Sequence, residues 1–354
     1  MTYQPVIEVL RGELVESLHY GAVAVADGQG RLHAWWGDPK TVTFLRSTAK
    51  PFQALPLLES GSAERFQITE RQLALICGSH SGTDEQVRAV EELQAQVGVS
   101  EADLQCGVHP PADAETARRL RQAWLEPTPN RNNCSGKHTG MLALACGLGA
   151  PLENYLTPDH PVQQRILEAV AEMCDLDPTG VGVAVDGCSA PTFALPLLAA
   201  ATGYARLADS SGLSPARASA CRRVFAAMTA HPDMVGGPGR FDTVLMQAAG
   251  GRILSKSGAE GYHGVAIAPG ALGRGSPALG LALKIADGDQ GHHGDRPPGQ
   301  RAGGRVVLEV LRQLGALEEG ELAVLSEFRP GPITNWRGLV VGHIRPCFRL
   351  ERAG

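Results

Sequence analysis

An α+β fold, with a mainly antiparallel sheet built from both chain ends and a helical segment inserted between them, is predicted by three observations. Short apolar runs separated by turn residues open the chain, a helical pattern with capping signals occupies residues 46–237, and strand-like runs between glycines return after Pro238. The sheet-containing part is therefore expected at residues 1–45 and 238–354 and the helical part at 46–237, within a single domain of 354 residues.

Residues 8–10, 22–26 and 31–36 read as extended, and Asp27-Gly28-Gln29-Gly30 makes a hairpin turn between the last two. Thr69 with Gln72 and Thr83 with Gln86 have the spacing of capping boxes, and Gly98 stops the second of those helices. Residues 252–256, 262–268, 278–286 and 339–344 alternate or run apolar between glycines, which predicts four strands. The stretch 287–304, D-G-D-Q-G-H-H-G-D-R-P-P-G-Q-R-A-G-G, is a flexible loop by composition, and His292 and His293 within it have no rigid neighbours to make a metal site.

Composition excludes several classes of function. The chain is 43% apolar, enough for a full core, and its 32 basic and 37 acidic residues give a net charge of −5 with no basic stripe, so a nucleic-acid partner is not expected. The longest apolar run, 192–201, is too short to span a bilayer, and Met-Thr-Tyr-Gln-Pro lacks the charged and apolar regions of a signal peptide; the expectation is a cytoplasmic protein without membrane contact. Of the 8 cysteines, Cys77, Cys146, Cys174 and Cys221 lie in apolar helical stretches, where a reduced thiol packs as a small apolar group.

Chemistry concentrates in two constellations. In the first, Ser47-Thr48-Ala49-Lys50 is an S-x-x-K pattern whose serine and lysine share a helix face, with Pro51 suited to the first turn and Ser47 to the helix N-terminus. For Lys50 to take the serine proton near pH 7, its pKa must drop by about 3 units, about 4 kcal/mol of preference for the neutral amine. Burial and a second cation achieve that, and Lys256 of Lys256-Ser257-Gly258 is the candidate cation. Serine β-lactamases and penicillin-binding proteins pair S-x-x-K with a serine motif in the helical part and K-[ST]-G on a strand. Ser79-His80-Ser81 and Lys256-Ser257-Gly258 occupy those places in the same chain order.

The second constellation is Asn132-Asn133-Cys134-Ser135-Gly136-Lys137-His138 together with Asp186-Gly187-Cys188-Ser189. Two thiolates balance Zn²⁺, His138 or, less commonly, a neutral Lys137 amine is the third ligand, and Asp186 is placed to orient a ligand. Three protein ligands leave one position open, as in zinc sites that meet substrate. An unrelated or oxidisable pair of thiols fits the same residues, whereas a phosphate loop does not, because G-x-x-x-x-G-K-[ST] spacing is absent.

R-S-T-A-K-P-F-Q-A-L-P-L-L-E-S-G (46–61), S-H-S-G (79–82), C-G-V-H-P-P (106–111), N-N-C-S-G-K-H-T-G-M-L-A (132–143), H-P-V-Q (160–163), D-G-C-S-A-P-T-F-A-L-P-L (186–197) and K-S-G-A-E-G (256–261) resemble the L-asparaginase II family, the rhizobial-type enzymes, over nearly the whole chain. The resemblance implies a fold similar to serine β-lactamases and two Ser-Lys tandems, Ser47 with Lys50 and Ser79 with Lys256. It further implies a zinc held by Cys134, Lys137 and Cys188, with His138 and Asp186 close by, and a homodimer. Thr83 and Gln86 depart from the Glu and His that usually follow S-H-S-G, Ser189 stands where glycine is more usual, and the loop from Asp287 is longer than typical.

Residues and resemblance together lead to an L-asparaginase. Ser47, deprotonated by Lys50, attacks the side-chain amide of L-asparagine; Ser79 and Lys256 move the proton to the leaving amine; Arg46, His138, Asp186 and zinc hold the substrate's charged ends. Two alternatives remain at this point: a β-lactamase-like or other amidohydrolase using the same tandem, and a zinc-binding or redox-sensing regulatory protein whose active parts are Cys134 and Cys188.

Overall fold

The computed structural model describes residues 2–289 and 301–353; most of the Gly/His-rich stretch that begins at Asp287, with His292 and His293, lies outside the described residues. The strands are β1 (Gln4–Arg11), β2 (Leu14–Ala26), β3 (Leu32–Trp36), β4 (Val42–Phe44), β5 (Gly182–Val185), β6 (Pro191–Pro196), β7 (Ile253–Ser257), β8 (Tyr262–Ile267), β9 (Leu279–Ile285), β10 (Gly331–Thr334), β11 (Val340–Pro346) and β12 (Glu351–Arg352). The main sheet runs β10-β11-β1-β2-β9-β8-β7, with β3 and β12 branching from β2, and all of its pairings are antiparallel. Both chain ends meet in it, as the sequence predicts: Ile7 of β1 pairs with Pro346 of β11.

Strand β2 explains why the sheet is buried on both faces. Its side chains alternate, so Ala22, Ala24 and Ala26 pack into the core of the helical side while Val23 and Val25 pack into a second core built around the helix Gly303–Leu314. Small residues face the helical side because the helix Leu197–Ala208 lies almost on the backbone of β8 and β9. A Cβ on Gly264 would stand 2.1 Å from the Tyr204 ring, and one on Gly280 would stand 1.8 Å from the Ala201 carbonyl oxygen. Backbone cannot yield as a side-chain tip can, so Gly280→Ala is expected to cost about 3 kcal/mol or more, read as a lowered urea midpoint at unchanged slope.

Both predicted capping boxes are present: Thr69 and Thr83 each accept the backbone N–H of Gln72 and Gln86 and receive the glutamine side chain in return, and Gly98 ends its helix in the left-handed conformation at φ 81°. The middle of the chain is not purely helical, however. β5 and β6 lie inside it and pair with β4, just before it, as a separate three-stranded sheet, and the run 192–201 divides between β6 and the helix Leu197–Ala208. At its centre the helix Ser135–Leu148 is buried from residue 135 to 145 by neighbours on all sides, so its first turn lies deep in the protein. Among the described residues no helix is long and apolar enough to cross a membrane.

Candidate active site

Ser47 lies on a single 3₁₀ turn, Arg46–Ala49, and Lys50 begins the short α-helix Lys50–Gln53 with Pro51 in its first turn. The turn is tied down from three sides: Leu45 N–H donates to Phe193 O of β6 (2.8 Å), Tyr204 OH donates to Thr48 O (2.8 Å), and Gly258, at the end of β7, approaches so closely that a Cβ there would stand 3.0 Å from Leu45 O. Ser47 itself is half-buried, and among the described residues its hydroxyl makes no hydrogen bond.

Lys50 does not bond Ser47. Its Nζ donates to Gly78 O (2.6 Å), Ser79 Oγ (3.0 Å) and Asn133 O (3.0 Å), three acceptors for the three donors of an ammonium group. The reason is burial: at 1% exposure the charge needs every acceptor within reach, and two carbonyls with a hydroxyl outweigh one serine a turn away. Direct contact thus joins Lys50 to Ser79 in place of the expected pairs Ser47–Lys50 and Ser79–Lys256. Ser79 is held in turn by its own N–H on Val235 O (2.7 Å).

Lys256 is fully buried on β7, with its Nζ on Ser257 O at 2.6 Å. Burial lowers its pKa to about 7; Asp242 opposes the shift, while Lys50 and Arg240 reinforce it by repulsion. Burial thus brings the Lys256 amine toward neutrality near neutral pH. From sequence the neutral amine is expected at Lys50 and the cation at Lys256.

Sequence reasoning missed Asp242, which sits on the helix Phe241–Ala248 and is 3% exposed. Its carboxylate takes the hydroxyl of Ser255 (2.7 Å), the N–H and hydroxyl of Ser257 (2.9 and 2.6 Å) and Nε2 of His263 (3.0 Å). Ser255 and Ser257 flank Lys256, so one buried carboxylate fixes the strand on both sides of the amine. Burial pushes the Asp242 pKa upward, but His263, Lys256 and Ser257 together hold it far below the usual carboxylate range. An aspartate among the apolar residues of Phe241-Asp242-Thr243-Val244-Leu245 was the available signal. His80, also fully buried, accepts Gly82 N–H at Nδ1 (3.2 Å) and bonds Ser135 Oγ through Nε2 (2.8 Å); burial and Lys50 lower its pKa to about 3, so it is neutral and braces the Ser79 loop.

The second constellation adjoins the first, because Lys50 holds the carbonyl of Asn133, next to Cys134. Lys137, in the first turn of the helix Ser135–Leu148, donates from Nζ to Cys188 Sγ at 3.0 Å. Interaction between the two sulfurs drives the Cys134 thiol far down and the Cys188 thiol up, while the same sulfurs outweigh burial and raise the Lys137 pKa. His138 Nδ1 is bonded to Tyr155 OH (2.6 Å) and its Nε2 is buried without a partner. Burial lowers the His138 pKa to about 4, so the ring is neutral and offers no charge to a substrate. Among the described residues no three His, Cys, Asp or Glu side chains converge as a metal set. Two cysteine sulfurs with the Lys137 amine are then the donors that could hold a thiophilic metal, and the orphaned His138 nitrogen beside them suits such a group.

Arg46 and Asp186, both expected at the substrate, bond each other, Nε to Oδ1 at 2.7 Å. Ser189 takes φ 69°, which is why glycine would be easier there, and Thr83 and Gln86 serve as helix cap, with Gln86 also donating to Asp233 O (2.8 Å). A cavity of about 750 Å³, lined in part by Glu172, Asp175, Arg206 and Ser214, shares no residue with the site.

The sequence matches the family model described as L-asparaginase II over residues 7–346. No curated protein matches it significantly. Similar solved structures include a probable glutaminase of Bacillus subtilis (13% identity, 84% of this chain and 89% of that chain, TM-score 0.39) and a Bacillus glutaminase in the presence of 4.3 M NaCl (13%, 83% and 90%, TM-score 0.37). A third, Mglu in its native form in the presence of 4.3 M NaCl, is 16% identical over 82% of this chain and 60% of that chain, with a TM-score of 0.40. Likeness of this degree is too loose to decide substrate or mechanism.

Proposed function

The chain belongs to the L-asparaginase II family, and on that footing we propose that it is an L-asparaginase whose nucleophile is Ser47. That it is an amidohydrolase follows from the family; the substrate and the roles of the residues are the proposal. The observation that carries the mechanism is the buried amine pair, Lys50 bonded to Ser79 and Lys256 with a pKa near 7, beside a serine whose hydroxyl is unengaged.

Ser47 Oγ attacks the side-chain amide carbon and its proton passes to neutral Lys256. Lys50 ammonium gives a proton through the Ser79 hydroxyl to the departing nitrogen, which leaves as ammonia, and the β-aspartyl ester of Ser47 remains. Lys256 then returns its proton to Lys50, and water hydrolyses the ester to L-aspartate. Arg46, braced by Asp186, takes the substrate α-carboxylate. A Zn²⁺ held by Cys134, Lys137 and Cys188 would supply fixed positive charge and one open position beside the substrate. The same reading makes the protein a cytoplasmic homodimer acting on the free amino acid.

Ammonia release from L-asparagine, L-glutamine and, as a control for β-lactam chemistry, nitrocefin turnover test the reading, with metal content measured on the same samples. Turnover of asparagine, and loss of zinc in Cys188→Ala, are expected. Nitrocefin turnover without ammonia release would leave the β-lactamase-like reading standing, and no turnover at all would leave the regulatory one.

A further inference from the structure

Arg46 faces a second carboxylate besides Asp186. Its Nη1 lies 4.0 Å from Oε1 of Glu260, in the tight turn that joins β7 to β8 and is closed by Gly258 N–H on Tyr262 O at 2.8 Å. That gap is too long for a hydrogen bond. Among the described residues the Glu260 carboxylate accepts no hydrogen bond, and it is 54% exposed. Lys284 donates to the backbone carbonyl of Glu260, which steadies the turn and leaves the carboxylate free to face Arg46.

Both members of this pair carry left-handed backbone, Arg46 at φ 52° and Glu260 at φ 60°. A side chain in that region is strained, and the next residue in the turn, Gly261 at φ 65°, shows the relaxed choice. Strain kept at two facing, oppositely charged residues next to the reacting serine is poorly repaid by the pair itself, a loose 4.0 Å ion pair without a hydrogen bond whose glutamate is mostly exposed. It does match a zwitterion. A free amino acid carries a carboxylate and an ammonium on one carbon, and a partly exposed arginine opposite a partly exposed glutamate presents the complementary charges at that spacing.

Resting on the asparaginase reading, we propose that Glu260 is a specificity-determining residue that receives the substrate's α-ammonium while Arg46 receives its α-carboxylate. An amide lacking that ammonium leaves Glu260 unpaired and is selected against; so does asparagine whose amine is acylated or bound in a peptide. The enzyme is thereby confined to free amino acids.

The test compares kcat/KM for L-asparagine and for succinamate, which has the same terminal amide without the amine, in the metal-containing wild type, Glu260→Gln and Glu260→Gly. Gln keeps the shape, and Gly suits φ 60° and guards against a folding artefact. Wild type should favour asparagine, and both variants should lose about 10- to 100-fold of that preference through a higher KM for asparagine, with succinamate unaffected. Calorimetric binding of L-aspartate and succinate gives a readout that needs no turnover: the variants should lose affinity for aspartate alone. An unchanged asparagine-to-succinamate ratio, or equal aspartate affinity in wild type and Glu260→Gln, overturns the inference. Wild type that turns over no amide refutes the asparaginase reading separately, and the aspartate titration still decides Glu260.

Discussion

Ser47→Ala is expected to lower ammonia release from L-asparagine by about 10⁴-fold or more while the melting temperature stays where it is. The two halves of that result come from one observation: the hydroxyl is half-buried and makes no hydrogen bond among the described residues, so its removal costs chemistry and no packing. Ser79 is the rival nucleophile, since Lys50 bonds it directly at 3.0 Å. Ser79→Ala should slow departure of the amine and also loosen Lys50, lowering both activity and stability. Intact-mass analysis of acid-quenched wild type decides between them: a β-aspartyl adduct mapped to the peptide containing Ser47 supports the assignment, and an adduct on the Ser79 peptide reverses it.

Lys256→Met should remove about 10²- to 10⁴-fold of activity and, unlike Ser47→Ala, make the protein more stable. In wild type, kcat/KM should rise with pH through an apparent pKa near 7, as Lys256 gives up its proton. The stability change follows from the same shift. The folded pKa of about 7 lies below the unfolded value of about 10.4, so between those limits the unfolded chain binds a proton that the native protein does not. Stability therefore climbs with pH across that window, and below about pH 7 the full penalty of burying the charge is present. Methionine abolishes that penalty. The gain in melting temperature over wild type should be widest at pH 6 and should shrink toward pH 10; a gap that does not vary with pH would mean that Lys256 titrates as an ordinary lysine.

What the sequence made legible was local. Ser47, Lys50, Ser79, Lys256, Cys134, Lys137 and Cys188 stand in short motifs whose residues lie near one another in the chain, and the capping boxes at Thr69 and Thr83 need only four residues each. What could not be read was the choice among partners brought in from afar. Whether Lys50 turns to Ser47 or to Gly78 and Asn133 depends on how the helices Glu70–Ile76 and Ser135–Leu148 pack, which no spacing encodes. Asp242 is isolated in sequence and acts through residues 13 to 21 positions away. Strand β5, Gly-Val-Ala-Val, is too short to announce itself between helices, and the helix Gly303–Leu314 follows directly on a glycine-rich stretch that hides its start.

The pairing of Ile7 with Pro346 has a bearing on biosynthesis. Strand β1 must wait for β11, far later in the chain, so the main sheet closes only once β11 has been made, while the intervening helices, rich in short-range contacts, can assemble meanwhile. During that interval the nascent amino-terminal hairpin offers apolar side chains and unpaired edges to whatever is nearby. A chain halted before β11 is thus a client for chaperones or proteases, and not a weaker enzyme.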